Sequence, residues 1–459
     1  THPAQLIQSL PRAIATMLDP ADCGPVFLGL PQDVQGWSFD YPEAFFAERV
    51  HEIRRSPPDP REVKAAAEVL AAAKRPVIIA GGGVQYSGAA RPLQQFAEAH
   101  NIPVVETIAG RANLLHGHPL NIGPIGVTGS NSANAIAAEA DCILAVGTRL
   151  QDFTTGSWTA FDRDARIVAI NVQRVDAAKH MALPVVGDAQ AGLKELGTAL
   201  HGWQAAESWL GDARRVYGEW NAFVDQRSGP TNAELPTYAH VVGAVNRLAE
   251  PRDLALTAAG GMPGELCMCW RAKETSTFDC EFGFSCMGYE IAGGWGAKLA
   301  DPSRDVIVMV GDGSYLLMNS DIYSSVLTGL KLIVVVCDNG GFAVIDRLQR
   351  AKGIPSFNNQ LADIRHVGKL ARVDFAKHAE SLGAVGINVS GIGELEDAFR
   401  RAKAADRTSV IHIDIHPTDW TEGNGSWWEC GTPEVSERAS VRAARKEHEA
   451  GKKKQRVGV

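Results

Sequence analysis

A carboxylate and an amide, each set among glycines at the end of an apolar run, are the residues of this sequence best suited to chemistry. Gly311-Asp312-Gly313-Ser314 follows the run VIVMV at 306–310, and Asp338-Asn339-Gly340-Gly341 follows LIVVVC at 332–337. Asp312 offers a hard carboxylate oxygen and Asn339 an amide oxygen. With a backbone carbonyl and phosphate oxygens they suit an octahedral Mg²⁺ site. Gly313 and Ser314 open a helix, where free N–H groups and the dipole favour an anion. Taken singly, GDG and DNGG are ordinary turns; taken together they imply a divalent cation and a phosphate.

The elements that must position them follow from the pattern. Residues 306–310 and 332–337 are short, continuous and rich in β-branched side chains, which predicts two fully buried parallel strands. Leu316, Leu317, Tyr323, Val326, Leu327 and Leu330 fall at helical spacing between them, and Gly329 supplies a stop signal. The result is a βαβ unit whose right-handed crossover brings both strand ends, and both motifs, to one edge.

This paired motif resembles the diphosphate–Mg²⁺ motif of thiamine diphosphate (ThDP) enzymes. The resemblance implies metal ligands Asp312, Asn339 and the Gly341 carbonyl, with Gly311, Gly313, Ser314, Gly341 and Phe342 beside the diphosphate. The usual Asn-Asn pair reads Asp338-Asn339 here, which keeps the ligand in place. Upstream, a strand at 254–258 leads into Gly260-Gly261-Met262, where the family grips the diphosphate through polar side chains; the contacts here are expected from the backbone. In Cys286-Met287-Gly288, Met287 matches the bulky apolar residue that bends the cofactor and brings its pyrimidine amino group to the thiazolium C2. A Met that merely fills a core gap is the competing reading.

Composition sets the frame. The 459 residues carry a net charge of −8, with 45% hydrophobic and 21% charged residues. That is the make-up of a globular chain of two or three domains, and it argues against a nucleic-acid partner. No apolar run reaches membrane-span length. The eight cysteines are scattered, and Cys267-x-Cys269 lacks a second pair for zinc; reduced thiols and a cytoplasmic location are expected. Strands alternating with helices (62–73, 76–80, 93–100, 103–107, 133–140, 142–146, 166–171) predict α/β architecture. With the resemblance, this becomes consecutive doubly wound parallel-sheet domains: a ThDP-binding fold with a Rossmann-like central domain.

The expected organisation is a pyrimidine-domain remnant (1–45), a linker (46–60), the central domain (61–200), a connecting helix and linker (201–230), the diphosphate and Mg²⁺ domain (231–420) and a tail (421–459). In the first segment, 6–17 reads as a helix, 25–30 as a buried strand and Pro31-Gln32-Asp33-Val34 as its exit turn. The rest of that domain, with the Glu that in the family activates the cofactor, lies outside this sequence. The resemblance therefore implies a site shared between subunits of a homodimer or homotetramer.

Gly81-Gly82-Gly83 does not complete GxGxxG, because Tyr86 stands at the sixth position, so it reads as a structural turn. His116 and His118 read as exposed loop histidines, and 122–129 as a Gly-rich loop, which the resemblance implies lies near the substrate channel. Trp203, Trp209 and Trp220 read as a core or interface stripe. Residues 278–290 read as a loop before a helix at 292–300, and Lys452–Arg456 as a solvated basic tail. Trp427 and Trp428, after Gly423-Asn424, read as a lid or a domain staple.

The run DCEFGFSCMGYEIAGGWGAKLA, the AAGGMPGEL turn and the GSWWECGTPEVSE tail narrow the resemblance. They are similar to ThDP enzymes of myo-inositol catabolism that add water across a carbon–carbon bond of a cyclic polyol 1,2-dione, giving 5-deoxyglucuronate. The alternatives are an acetolactate-synthase-like carboligase or decarboxylase, and a non-catalytic ThDP-binding or oligomerisation fragment.

Overall fold

The computed structural model describes residues 1–364, 372–422 and 425–458; Gly423 and Asn424 of the tail motif lie outside them. Two six-stranded parallel sheets dominate. The first contains β1 (Pro76–Ala80), β2 (Val104–Glu106), β3 (Asn121–Pro124), β4 (Cys142–Val146), β5 (Arg166–Asn171) and β6 (Leu183–Val186), in the order β3-β2-β1-β4-β5-β6. The second contains β7 (Leu254–Thr257), β8 (Phe278–Cys280), β9 (Val306–Gly311), β10 (Ile333–Asp338), β11 (Val385–Val389) and β12 (Ser409–Asp414), in the order β11-β12-β10-β9-β7-β8. Helices cover both faces, so residues on alternate sides of β1, β4 and β10 are all buried. These strands are therefore apolar throughout rather than alternating. Among the described residues no helix is long and apolar enough to cross a membrane.

In the first sheet the strand order reverses between β1 and β4, the place where open α/β sheets usually bind ligands. Glycine packing closes it here. A Cβ on Gly81 would lie 2.3 Å from the Gly147 carbonyl oxygen, and one on Gly83 2.8 Å from Gly147 Cα. These glycines bring two turns into backbone contact, which is why a glycine run stands there without a nucleotide fingerprint.

Several expectations need correction. Residues 25–30 form no strand, and Phe27 is 93% exposed; an extended segment with no neighbouring strand has nothing to pair with. The single helix expected after Asp312 is two, Asp312–Leu317 and Asp321–Thr328. Its buried side is carried by Tyr315, Ile322 and Ser325, while Leu316, Leu317, Tyr323 and Leu327 are exposed. Gly329 does end the second helix, with φ +68°. The expected loop 278–290 begins with β8 and ends inside the helix Tyr289–Ala300.

His116 and His118 are not free in solvent. His116 Nδ1 is 3.0 Å from the Tyr217 hydroxyl, and burial, then the charges of Arg271 and Arg111, pull its pKa down to about 4. His118 pairs with Glu98 at 3.0 Å. The basic tail is docked rather than solvated at its end: after the helix Ala439–Lys452, Arg456 Nη1 donates to the Ala165 carbonyl at 2.7 Å. The tryptophans do serve packing. Trp209 and Trp220 are buried on the helix Glu207–Ser228, and Trp209 Nε1 donates to the Pro76 carbonyl at 2.8 Å.

The two sheet units are joined by buried polar contacts. Arg111 pairs with Glu106 in the first unit, and its Nη2 donates to the Trp270 carbonyl of the second at 2.8 Å. Both charges lie almost wholly out of water, so each depends on the other: removing either leaves an uncompensated buried charge.

Candidate active site

Parallel pairing of β9 with β10 sets Gly311 opposite Cys337. The next residues, Asp312 and then Asp338-Asn339, therefore emerge side by side at one edge of the second sheet. Asp312 opens the helix Asp312–Leu317 with Gly311 as its N-cap. Both Asp312 and Asn339 are buried. Asn339 Nδ2 donates to the Tyr238 hydroxyl at 2.7 Å, which fixes the amide and leaves Oδ1 without a hydrogen-bond partner among the described residues. Gly340 N–H donates to Asp338 Oδ1 at 2.8 Å, and Gly341 takes φ +137°, open only to glycine.

The charges around this edge are unbalanced. Burial, then the neighbouring Asp338 carboxylate, push the Asp312 pKa up to about 7, against backbone N–H donation from Gly341 and Gly313. Burial opposes ionisation of Asp338 too, but His412, the Gly340 N–H and Arg372 outweigh it and hold Asp338 below the usual range. Asp338, His412 and Asp414 bring ligand atoms within 4.8 Å of one another. That cluster already holds a cation: Arg372 Nη2 lies 3.2 Å from Asp338 and 2.8 Å from Asp414. Asp312 has no such ion pair among the described residues. A buried carboxylate beside an orphaned amide oxygen is a donor set that fits a hard divalent cation.

These residues face a cavity of about 620 Å³ between the two sheet units. Gly260, Gly261, Met287, Gly311, Asp312, Gly313, Ser314, Asn339, Gly341 and Phe342 all line it. A Cβ on Gly313 would meet the Phe342 ring at 2.8 Å and the Met287 methyl at 3.4 Å, so Met287 reaches the GDG turn. Three expected residues are not on the wall. Met262 is fully buried in the core, because the first turn of the helix Met262–Cys269 directs it inward. Cys286 is exposed. Gly288 caps the helix Tyr289–Ala300 with φ +94°.

The remaining wall comes from elsewhere. Thr128 and Phe153 reach over from the first unit. Trp420 stacks on Tyr238 at 5.4 Å and carries Arg347 over its ring at 5.3 Å. Trp428 both lines the cavity and fastens the tail: its Nε1 donates to Asp152 at 2.8 Å, and its ring lies 4.8 Å from Phe153. Cavity wall and staple are the same residue. Trp427 packs the other way, toward His448 at 5.9 Å.

Two acids escaped the sequence reading. Glu290 Oε1 accepts from Ala259 N–H at 3.0 Å and Oε2 from Gly288 N–H at 2.9 Å, tying the loop after β7 to the loop bearing Met287. Glu265, 2% exposed, accepts from Thr421 N–H at 2.7 Å through Oε1, while Oε2 has no hydrogen-bond partner among the described residues. The available signal was an acid inside an apolar helix, as in MPGELCMC; an acid is buried there only with partners or a task.

Comparison with known proteins agrees with this layout. The central domain of thiamine pyrophosphate enzymes matches residues 63–196, and their C-terminal TPP-binding domain matches residues 258–413. The chain is 40% identical to a 3D-(3,5/4)-trihydroxycyclohexane-1,2-dione hydrolase of Geobacillus thermodenitrificans, over 96% of this chain and 73% of that protein. It is 37% identical to proteins of the same name from Bacillus subtilis (99% of this chain, 74% of the relative) and Bacillus licheniformis (98% and 74%).

Proposed function

Because this chain belongs to the trihydroxycyclohexane-1,2-dione hydrolase family of thiamine diphosphate enzymes, we propose that it hydrolyses a carbon–carbon bond of a cyclic polyol 1,2-dione with ThDP and Mg²⁺. The observation that carries the reading is the meeting of Asp312, the orphaned Asn339 Oδ1 and Met287 on one cavity. Asp312, Asn339 and the Gly341 carbonyl are the proposed Mg²⁺ ligands. Gly313 and Ser314, in the first turn of a helix, offer N–H groups to the diphosphate. The bound cofactor supplies a nucleophilic carbon for one carbonyl and a sink for the electron pair of the breaking bond.

The chain's own residues orient and enclose. Met287 supports the cofactor's bend, and Glu290 fixes the loop that carries Met287. Trp420, Trp428, Phe153 and Phe282 form apolar walls that limit water to what the reaction consumes. The proposal includes a homodimer or homotetramer, supported by the exposed Leu316, Leu317, Met318, Tyr323 and Leu327 beside the GDG helix.

Turnover of the trihydroxycyclohexane-1,2-dione in ¹⁸O-labelled water tests the reaction. Hydrolysis places one label in the carboxylate of a ring-opened product. An unlabelled product, or carboligation of pyruvate in place of ring opening, contradicts it.

A further inference from the structure

Hydrolysis across a carbon–carbon bond needs a group that takes a proton from water. Among the described residues lining the cavity, only Asp312 and Glu265 carry carboxyl side chains. Asp312 belongs with the cation. Glu265 stands apart from it, on the first turns of the helix Met262–Cys269. Thr421 N–H holds its Oε1 at 2.7 Å, so the carboxyl is oriented, and Oε2 has no hydrogen-bond partner among the described residues. A buried carboxyl at the cavity wall, held at one oxygen and unpartnered at the other among the described residues, is placed to exchange a proton or a hydrogen bond with a group that reaches it.

Resting on the reading above, we infer that Glu265 is the general base that receives the proton of the attacking water. In the step, the water oxygen bonds to the carbonyl carbon, the C=O π pair moves to the carbonyl oxygen, and one water proton passes to Glu265. When that π pair returns, the adjacent carbon–carbon bond breaks, and its electron pair ends on the departing carbon as a C–H bond. The proton held by Glu265 supplies that hydrogen, so the carboxylate is restored and no oxidant or reductant enters.

The surroundings suit the role. Burial, the largest influence, raises the Glu265 pKa above the usual carboxylate range, while donation from Thr421 and the charges of Arg227 and Arg347 act against it. Among the described residues, the other titratable groups facing it are the Tyr238 hydroxyl and, on its own helix, the Cys269 thiol. A base whose pKa lies closer to neutral transfers protons in both directions more readily than an ordinary surface carboxylate.

The test is Glu265→Gln, which keeps the Thr421 contact and loses the base. Turnover of the cyclic dione falls about 100-fold or more, KM and ThDP affinity stay within about threefold, and the acid limb of the kcat/KM profile disappears. On the cofactor-free protein, infrared titration shows a carboxyl protonating above the normal range in wild type and missing from Glu265→Gln. Glu265→Asp retains an acid limb at shifted pH and carries the test should the Gln variant fail to fold; an unshifted limb overturns the assignment. Turnover of Glu265→Gln within about threefold of wild type, or an unchanged acid limb, also overturns it. A wild-type protein that hydrolyses no cyclic dione instead sinks the proposed function itself.

Discussion

Asp312 shows how much a single residue reveals through its environment. With its pKa raised to about 7, the folded protein binds a proton there more tightly than the unfolded chain does. The sign follows: this carboxyl does not destabilise below about pH 4, and it costs stability as pH rises toward 7. Asp312→Asn removes that cost. Urea melts without Mg²⁺ should find the variant level with wild type near pH 4 and more stable at pH 8, by about 1–3 kcal/mol. Equal midpoints at both pH values would mean that the carboxylate is already compensated. Asp312→Ala should abolish Mg²⁺-dependent ThDP binding, read by calorimetry.

Met287→Ala should lower kcat at least tenfold while changing ThDP affinity by no more than about threefold. An unchanged kcat would reduce Met287 to packing. The motif residues were legible because Asp and Asn stand where strands end and glycines begin. Glu265 and Glu290 were not, because their meaning lies in which backbone N–H groups they meet, and those come from distant segments.

At the scale of elements, legibility follows burial. The eight interior strands, β1, β2, β4, β5, β7, β9, β10 and β12, all stand out as strands in the sequence pattern. The four that do not, β3, β6, β8 and β11, are the edges of the two sheets. An edge strand is paired on one side, and β3 and β6 carry prolines beyond their first residue, Pro124 and Pro184, whereas the proline of interior β1, Pro76, stands at its first position. Helix boundaries shifted by a few residues for the usual reason that caps, not apolar spacing, set them. The Gly81–Gly147 contact gives a stability prediction. Gly81→Ala drives a methyl into a carbonyl oxygen and should cost about 3 kcal/mol in denaturant unfolding. A loss under about 0.5 kcal/mol would show that the two turns can part.

For the whole molecule, patterns of exposure matter more than any motif. The spacing of Leu316, Leu317, Tyr323 and Leu327 signalled one helix where two stand, and all four side chains are exposed here. The sequence pattern cannot tell a core from a contact with another copy, since both remove the same apolar area from water. Leu317→Lys with Leu327→Lys should convert a homo-oligomer into monomers on light scattering; an unchanged mass would place the interface elsewhere.

The most direct test of the account is a set of parallel progress curves for the wild-type chain on the trihydroxycyclohexane-1,2-dione: with ThDP and Mg²⁺, with either omitted, and with pyruvate as substrate. Turnover of the dione that requires both ThDP and Mg²⁺, with none of pyruvate, is the predicted result. Dione turnover indifferent to Mg²⁺, or turnover of pyruvate alone, would contradict the reading of Asp312 and Asn339 as the centre of a ThDP-dependent hydrolase.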